Sequence, residues 1–577
     1  MQRSRRVSAA AAALDLWPVL LAVVLCWPLL TASGHPLARD FVFAPHQPWT
    51  DATLGLGDAA PRAVPLDALV SLASVGVDGG VLAKVVLPLV LALAGWGVHR
   101  ALGSLGTVAR LAAAGFAVWN PFVVERLALG QWALLAGYAA LPWLAMAATR
   151  WRRDGRLVDL AAVACWLAVA SITPTGGLIG TVTVLVLGAE TVRRTLPLAG
   201  IAAVLQLPWV LPGLVGSTGL TSDPDGVAAF AARAEGPGGV IASVLGLGGI
   251  WDGLSVPGSR ETWWGTAAAV VAVVVVVVGV PRLARTWGRG VTGRAAGLGV
   301  GGLLLALLSS WGPGADLVRW VVETVPGGGL LRDSQKYAAG WAVLVACCVG
   351  VVTDVAVAAT RRAGPELGVP LVVTVLLTPF LLLPDATRVT WPTVTPVDWP
   401  AGVTGLDALL DELADDEGAE APVATLPWRS YRLFEWGTGL TSSDPALRLL
   451  DRPVLVADEL VVGELVVSGE SSLAASLGRA LETSSPAEAL AATGIPWVVV
   501  YRDDPDADEL DLSGLELRAE TPEVAVYRAP AVADRHVAAA GPARWTVIAG
   551  TLLAALLVLL AAVTRVALRK QAAHRFW

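Results

Sequence analysis

"WNPFVVERLALGQWALLAGYAALPWLAMAATRWRRDGR", residues 119–156, carries three signals in a row. Asn120–Pro121 stops a helix and turns the chain, because a residue before proline is steered out of the helical region. An apolar run over 131–148 follows, and "TRWRRDGR" (149–156) closes it with a block of positive charge. A helix of ~20 apolar residues crosses a bilayer, and Lys/Arg gathers on the cytoplasmic side. The stretch therefore reads as an outer loop, a membrane span and a cytoplasmic loop.

The same reading extends in both directions. Apolar runs near 12–32, 81–98, 104–121, 131–148, 157–172, 175–189, 195–213, 264–281, 293–310, 338–358, 368–384 and 545–563 give about twelve transmembrane helices. Basic clusters lie at 3–6, 99–100, 149–156, 192–194, 281–294, 361–362 and 565–570. All seven fall on one side if the N-terminus is cytoplasmic. Both termini are then cytoplasmic, and the long segments 33–80, 119–131, 214–263, 311–337 and 385–543 face outward from a plasma membrane. "RSRR", an apolar core and "TASG" also fit a cleaved signal peptide. The length of that run and its Trp17–Pro18 and Trp27–Pro28 pairs favour a retained helix.

Composition supports a polytopic α-helical membrane protein. The chain is 55% hydrophobic and 15% charged, against ~25% charged in a soluble domain. Its mean hydropathy is +0.64. Residues 385–543 depart from this pattern, with 28 acidic and 10 basic residues for a net charge of −18. They read as an acidic extracytoplasmic α/β domain before the last helix, and their charge argues against nucleic acid as a partner. Strand-like patches at 422–427, 452–458, 495–503 and 524–530 alternate with helix-like patches at 472–483 and 486–494, the latter ended by Gly494. The chain thus divides into a multi-pass domain (1–384), the acidic domain (385–543) and a final helix with a basic tail (544–577).

Metal and redox chemistry find little footing. Cys26, Cys165, Cys347 and Cys348 all lie in apolar runs, the five histidines are scattered, and no CxxC or HExxH spacing occurs. No metal ligands are assigned, and a divalent metal has no support in the residues. The spans also lack midplane charge. Asp15, Asp159, Glu190 and Asp354 fall at cytoplasmic ends, and Lys84 at an outer end. Ion-coupled transporters keep such groups at the midplane, which counts against coupled transport.

The outer loops hold the candidate chemistry. In "HPLARDFVFAPHQPWTD" (35–51), Asp40 lies about eight residues beyond the first span. Partial shielding raises a carboxyl pKa and a cation such as Arg39 lowers it, a combination that suits a general base. The alternative is an Arg39–Asp40 pair that pins the loop. Asp51, Asp58 and Asp67 follow, and residues 66–72 form an amphipathic stretch suited to the membrane surface. Glu125 and Arg126 sit in a short amphipathic turn, as one wall of a headgroup pocket or as a hairpin corner. In "VPGGGLLRDSQKYAAGW" (325–341), Arg332, Asp333 and Lys336 precede a span, and Lys336 is one of only three lysines. Arg332 and Lys336 share a face if the helix starts early, and a helix start favours phosphate. An ordinary helix cap with anchoring basic residues explains the same pattern.

An acid early in the first outer loop, "WNPFVVERLALGQWALLAGYAALPWL", the "GGGLLRDSQKY" loop and an outer α/β domain with "GIPWVVVYRD" occur together. This combination resembles the GT-C class of membrane glycosyltransferases that use polyprenyl-phosphate sugars, of the actinobacterial arabinofuranosyl- and mannosyltransferase type. The resemblance implies sugar transfer from a polyprenyl-phosphate donor to a lipid or glycan acceptor at the outer face of the membrane. It assigns acceptor activation to Asp40, and phosphate binding to Arg332 and Lys336, with Arg126 and Arg39 nearby. Asp58, Glu125 and Asp333 are further candidates. No paired-acid motif with tight spacing occurs near Asp40, a departure from the class. Two other readings stay open: a transporter or flippase of lipid-linked glycans, and a non-catalytic envelope scaffold.

Overall fold

The computed structural model describes residues 2–574, apart from 59–60, 216–221, 365, 367, 414–420 and 531–540; side chains are not described for 2–11, 361, 363, 542 and 572–574. The basic cluster 3–6 and part of the acidic segment therefore lie outside the described side chains.

Each expected span falls on a helix, but only eight helices among the described residues are long and apolar enough to cross a membrane alone. These run from Gly79–Ala101 to Ala543–Gln571. Gly368–Leu382 and Ala386–Val394 make a ninth only if joined across a 63° bend. Pro384 lies in that break, where a missing N–H and ring clash stop a straight helix. Ala12–Leu25, Leu157–Ala170 and Pro174–Gly188 are shorter apolar helices. In Trp263–Trp287 the valines at 270, 271, 274 and 277 are exposed, as a lipid-facing helix requires.

One end of the bundle gathers the basic ends of the helices. There Trp151 Nε1 donates to the Arg194 carbonyl at 3.0 Å and Trp287 Nε1 to the Ala101 carbonyl at 3.2 Å. Arg294 donates to the carbonyls of Val186 and Ala189, and Asp354 accepts from the Gly106 amide.

At the other end sits a mixed five-stranded sheet. Its order is Glu516–Glu520, Val524–Arg528, Trp497–Tyr501, Val423–Leu426, Val454–Leu455, with parallel pairing on the last two junctions. Ser472–Thr483 and Pro486–Thr493 pack on one face with Leu477, Leu490 and Val498 in the shared core. Gly494 caps the second helix at φ 81°, a left-handed conformation that glycine adopts without Cβ strain.

The segment 33–80 is built into this domain. His35–Ala38 pairs with Phe41–Val42 and also with Pro396–Val397. Leu37, Val42 and Ala44 share a core with Val423, Trp497 and Tyr501. The helix Leu66–Ser74 turns Ser71 and Ser74 inward and leaves Leu69 and Leu72 exposed, the orientation expected of a helix on a lipid surface.

Candidate active site

Asp40 occupies the second position of a two-residue turn. Ala38 and Phe41 pair directly, so Arg39–Asp40 alone connects the strands. Arg39 takes φ 54°, disfavoured for a residue with a Cβ. Bonds to the distant chain hold it there: its amide donates to the Thr441 carbonyl at 2.7 Å, and its carbonyl accepts from the Ser443 amide at 2.9 Å. The Asp40 amide donates to the Leu129 carbonyl. Gly130, at φ 84°, admits this approach; a Cβ there would meet the Phe41 nitrogen at 2.4 Å.

Two distant chain segments converge on the Asp40 carboxylate. Gln131 Nε2 donates to Oδ2 at 3.3 Å, and the Tyr431 hydroxyl of the sheet domain donates to Oδ1. Burial and the charge of Asp40 raise the Tyr431 phenol well above its ordinary range, so it stays protonated and donates. Gln131 continues inward, its Oε1 accepting from Arg126 Nη1 at 2.8 Å. Arg126 is fully buried and grips Asp333 with two bonds of 2.8 and 2.9 Å. Gln335 Oε1 takes its remaining N–H groups. Lys336 Nζ lies 3.2 Å from Asp333 Oδ2 and keeps about a quarter of its side chain exposed, at 23%. Burial alone would raise the Asp333 carboxyl, but Arg126 and Lys336 outweigh it and hold it at about 2.

The structure thus joins Asp40 to Lys336 through Gln131, Arg126 and Asp333. Other candidates have different surroundings. Arg39 does not face Asp40; its guanidinium meets Asp252 at 2.6 Å, and Asp252 also accepts from Ser255. The expected Arg39–Asp40 pair is therefore corrected: the turn sends neighbouring side chains to opposite sides. Arg126 is not a free wall of a headgroup pocket, because all five of its N–H groups already have acceptors.

Arg332 and Lys336 do not share a helical face, since the helix is a tight 3₁₀ turn that begins at Ser334. Arg332 turns instead to Glu470 of the sheet domain at 3.5 Å and covers the Phe230 ring at 5.5 Å. Arg62 and Ser222 reach the same carboxylate. Burial opposes the Glu470 charge, yet Arg62, Ser222 and Arg332 hold its pKa below the ordinary range. Asp58 accepts from the Leu473 amide at 2.9 Å and from Ser471, tying the segment 33–80 to the start of Ser472–Thr483. Glu125 is fully buried against Glu235, whose own carboxylate is held by Arg260 at 2.8 Å and by the Gly249 amide.

Sequence reading missed Gln131 and Tyr431. Gln131 lies inside a quoted loop and is its only uncharged side-chain amide besides Asn120. Tyr431 is 391 residues from Asp40, and no local pattern marks it. Among the described residues, no three His, Cys, Asp or Glu side chains converge so as to hold a metal ion.

A helical bundle with long loops, closed by a sheet domain before the last helix, is a fold shared with a glycosyltransferase of known structure. The chain is similar to the cryo-EM structure of the arabinofuranosyltransferase AftD from Mycobacteria, with a TM-score of 0.53 and 16% identity over 90% of this chain. A class of the R1389S mutant of that protein gives a TM-score of 0.54 at 16% identity. The match covers 40% of the AftD chain and 42% of the mutant. At this identity the likeness establishes the fold. No protein-family model and no curated protein matches the sequence.

Proposed function

We propose that the protein transfers a sugar from a polyprenyl-phosphate donor to a lipid or glycan acceptor of the cell envelope, at the outer face of the plasma membrane. The observation that carries this reading is the Asp40 carboxylate, held by Gln131 and Tyr431 where the outer loops meet the sheet domain. Asp40 takes the proton of the acceptor hydroxyl as its oxygen attacks the anomeric carbon. The bond to the polyprenyl phosphate breaks on the opposite face, and the phosphate leaves with the electron pair. Lys336, partly exposed beside Asp333, is the cation placed to meet the developing charge. Arg126 acts beneath it by fixing Asp333 and Gln131. Arg332 supports the docking of the sheet domain and reaches a phosphate only by exchanging Glu470 for it.

In this reading the termini and the basic helix ends are cytoplasmic, and residues 385–543 form an extracytoplasmic domain with part of the first outer loop. The test is an assay of membranes with labelled polyprenyl-phosphate sugars, comparing the native chain with Asp40→Asn. Transfer by the native chain that is lost in the variant is expected. Transfer that survives unchanged removes the role of Asp40. Glycolipid movement across vesicles without any transfer overturns the glycosyltransferase reading in favour of a flippase.

A further inference from the structure

At the basic end of the bundle, away from Asp40, a cavity of about 360 Å³ opens among four helices. These are Gly79–Ala101, Trp132–Asp154, Leu157–Ala170 and Gly541–His574. Its floor is aromatic: Trp143 and Trp166 stack at 4.7 Å with planes 14° apart. Its rim carries Arg100, Arg150, Arg565 and Arg569 from three of the helices. The Arg100 guanidinium lies 5.2 Å above the Trp143 ring.

Positive charge at the rim is poorly matched within the protein. Arg100 shares Asp15 with His99, at 3.4 and 3.6 Å. Among the described residues, Arg150 reaches only the Met146 sulfur at 3.8 Å, with Asp159 acting on it through space. Arg565 Nε is buried and has no hydrogen-bond acceptor among the described residues, while Cys165 bonds elsewhere on the guanidinium. Arg565 and Arg569 form no ion pair among the described residues. Four guanidiniums thus converge over an apolar floor, with two carboxylates nearby. Scattered cytoplasmic arginines that merely set topology need neither a shared cavity nor an unsatisfied buried N–H.

We propose that this cavity binds the phosphate headgroup of an anionic phospholipid. Arginine forks fit phosphate oxygens with two parallel hydrogen bonds, and the buried Arg565 Nε–H gains its missing acceptor. The glycerol and first acyl carbons lie on the Trp143–Trp166 stack, beside the last helix, most of whose apolar span is exposed. Basic pockets between membrane helices on the cytoplasmic side are suited to such headgroups. The apolar floor favours a lipid over a free anion, which would leave the stack uncovered.

Native mass spectrometry on the full chain in detergent tests this, with phosphatidylglycerol, phosphatidylcholine and inorganic phosphate as probes. The native chain retains phosphatidylglycerol in preference to phosphatidylcholine. The double substitution Arg565→Gln, Arg569→Gln weakens that retention on the order of thirtyfold, and phosphatidylcholine binding does not change. Arg150→Gln, a surface change that leaves the fold intact, weakens it in the same direction by a smaller factor, and covers the case of a double variant that fails to fold. Equal retention of the two lipids, or anionic retention unaffected in these variants, overturns the proposal. Displacement of phosphatidylglycerol by millimolar inorganic phosphate overturns the lipid assignment and makes the site one for a free phosphate.

Discussion

Tyr431 and Gln131 divide the two oxygens of Asp40 between them, so the carboxylate has one orientation, and the donor on each oxygen comes from a different part of the chain. A hydrogen bond to a charged group contributes about 1.5–3 kcal/mol. If Asp40 must be aimed to take a proton, Tyr431→Phe lowers kcat by roughly ten- to a hundredfold. Donor KM changes much less, because the ring volume is kept; steady-state kinetics separates the two. Asp333 offers a stability test. Its carboxyl is held down at about 2 by Arg126 and Lys336 against the opposing effect of burial. A depressed carboxyl contributes stability that is complete above its unfolded value of ~4 and is lost as pH falls through that value toward 2. Thermal melts of the native chain therefore decline over that window. Asp333→Asn leaves Arg126 buried without its anion and costs about 3–5 kcal/mol at neutral pH. It also flattens the decline.

The elements around Asp40 meet closely because one of them lacks a side chain. Gly130 ends the turn after Pro121–Ala128 at φ 84°, and a Cβ there would fall 2.4 Å from the Phe41 nitrogen. Gly130→Ala must push the Arg39–Asp40 turn away and adopt a left-handed conformation that costs about 1–2 kcal/mol. A lower melting temperature together with loss of transfer is expected; a variant with native melting and activity contradicts the placement of this turn. Much at this scale was legible in the sequence. Apolar runs and basic ends located the helices, and the strand-like patches at 422–427, 452–458, 495–503 and 524–530 became sheet strands. The helix ended by Gly494 was equally plain. Span count was less legible, because short apolar helices such as Leu157–Ala170 and a proline-broken pair carry the same composition as full spans. Side-chain partners were not legible at all where they lie far apart in the chain. Arg39 meets Asp252, 213 residues away, and Arg332 meets Glu470. Spacing rules speak only for neighbours, and they assigned both arginines to a nearer acid or anion.

Across the whole molecule, the segment 33–80 is shared between the bundle and the sheet domain. Strand Pro396–Val397 extends its small sheet, Asp58 caps a helix of the domain, and Tyr431 reaches Asp40. The domain therefore supplies a contact to Asp40, and its removal strips away the Tyr431 donor as well as covering apolar area. Topology is the corresponding global prediction. Asp508→Cys, exposed on the sheet domain, reacts in intact cells with a membrane-impermeant maleimide, while Arg569→Cys reacts only after the membrane is opened. Equal labelling of both in intact cells contradicts the assigned sides. Cys26, Cys347 and Cys348 are buried and contribute little background.

The most direct measurement is the turnover of purified Asp40→Asn beside the native chain, with a labelled polyprenyl-phosphate sugar and matched amounts of folded protein. In Asp40→Asn, kcat is expected to fall by about 10²–10⁴-fold, the contribution of a positioned base, while donor KM and melting temperature stay close to native. A variant that folds and turns over at the native rate contradicts it.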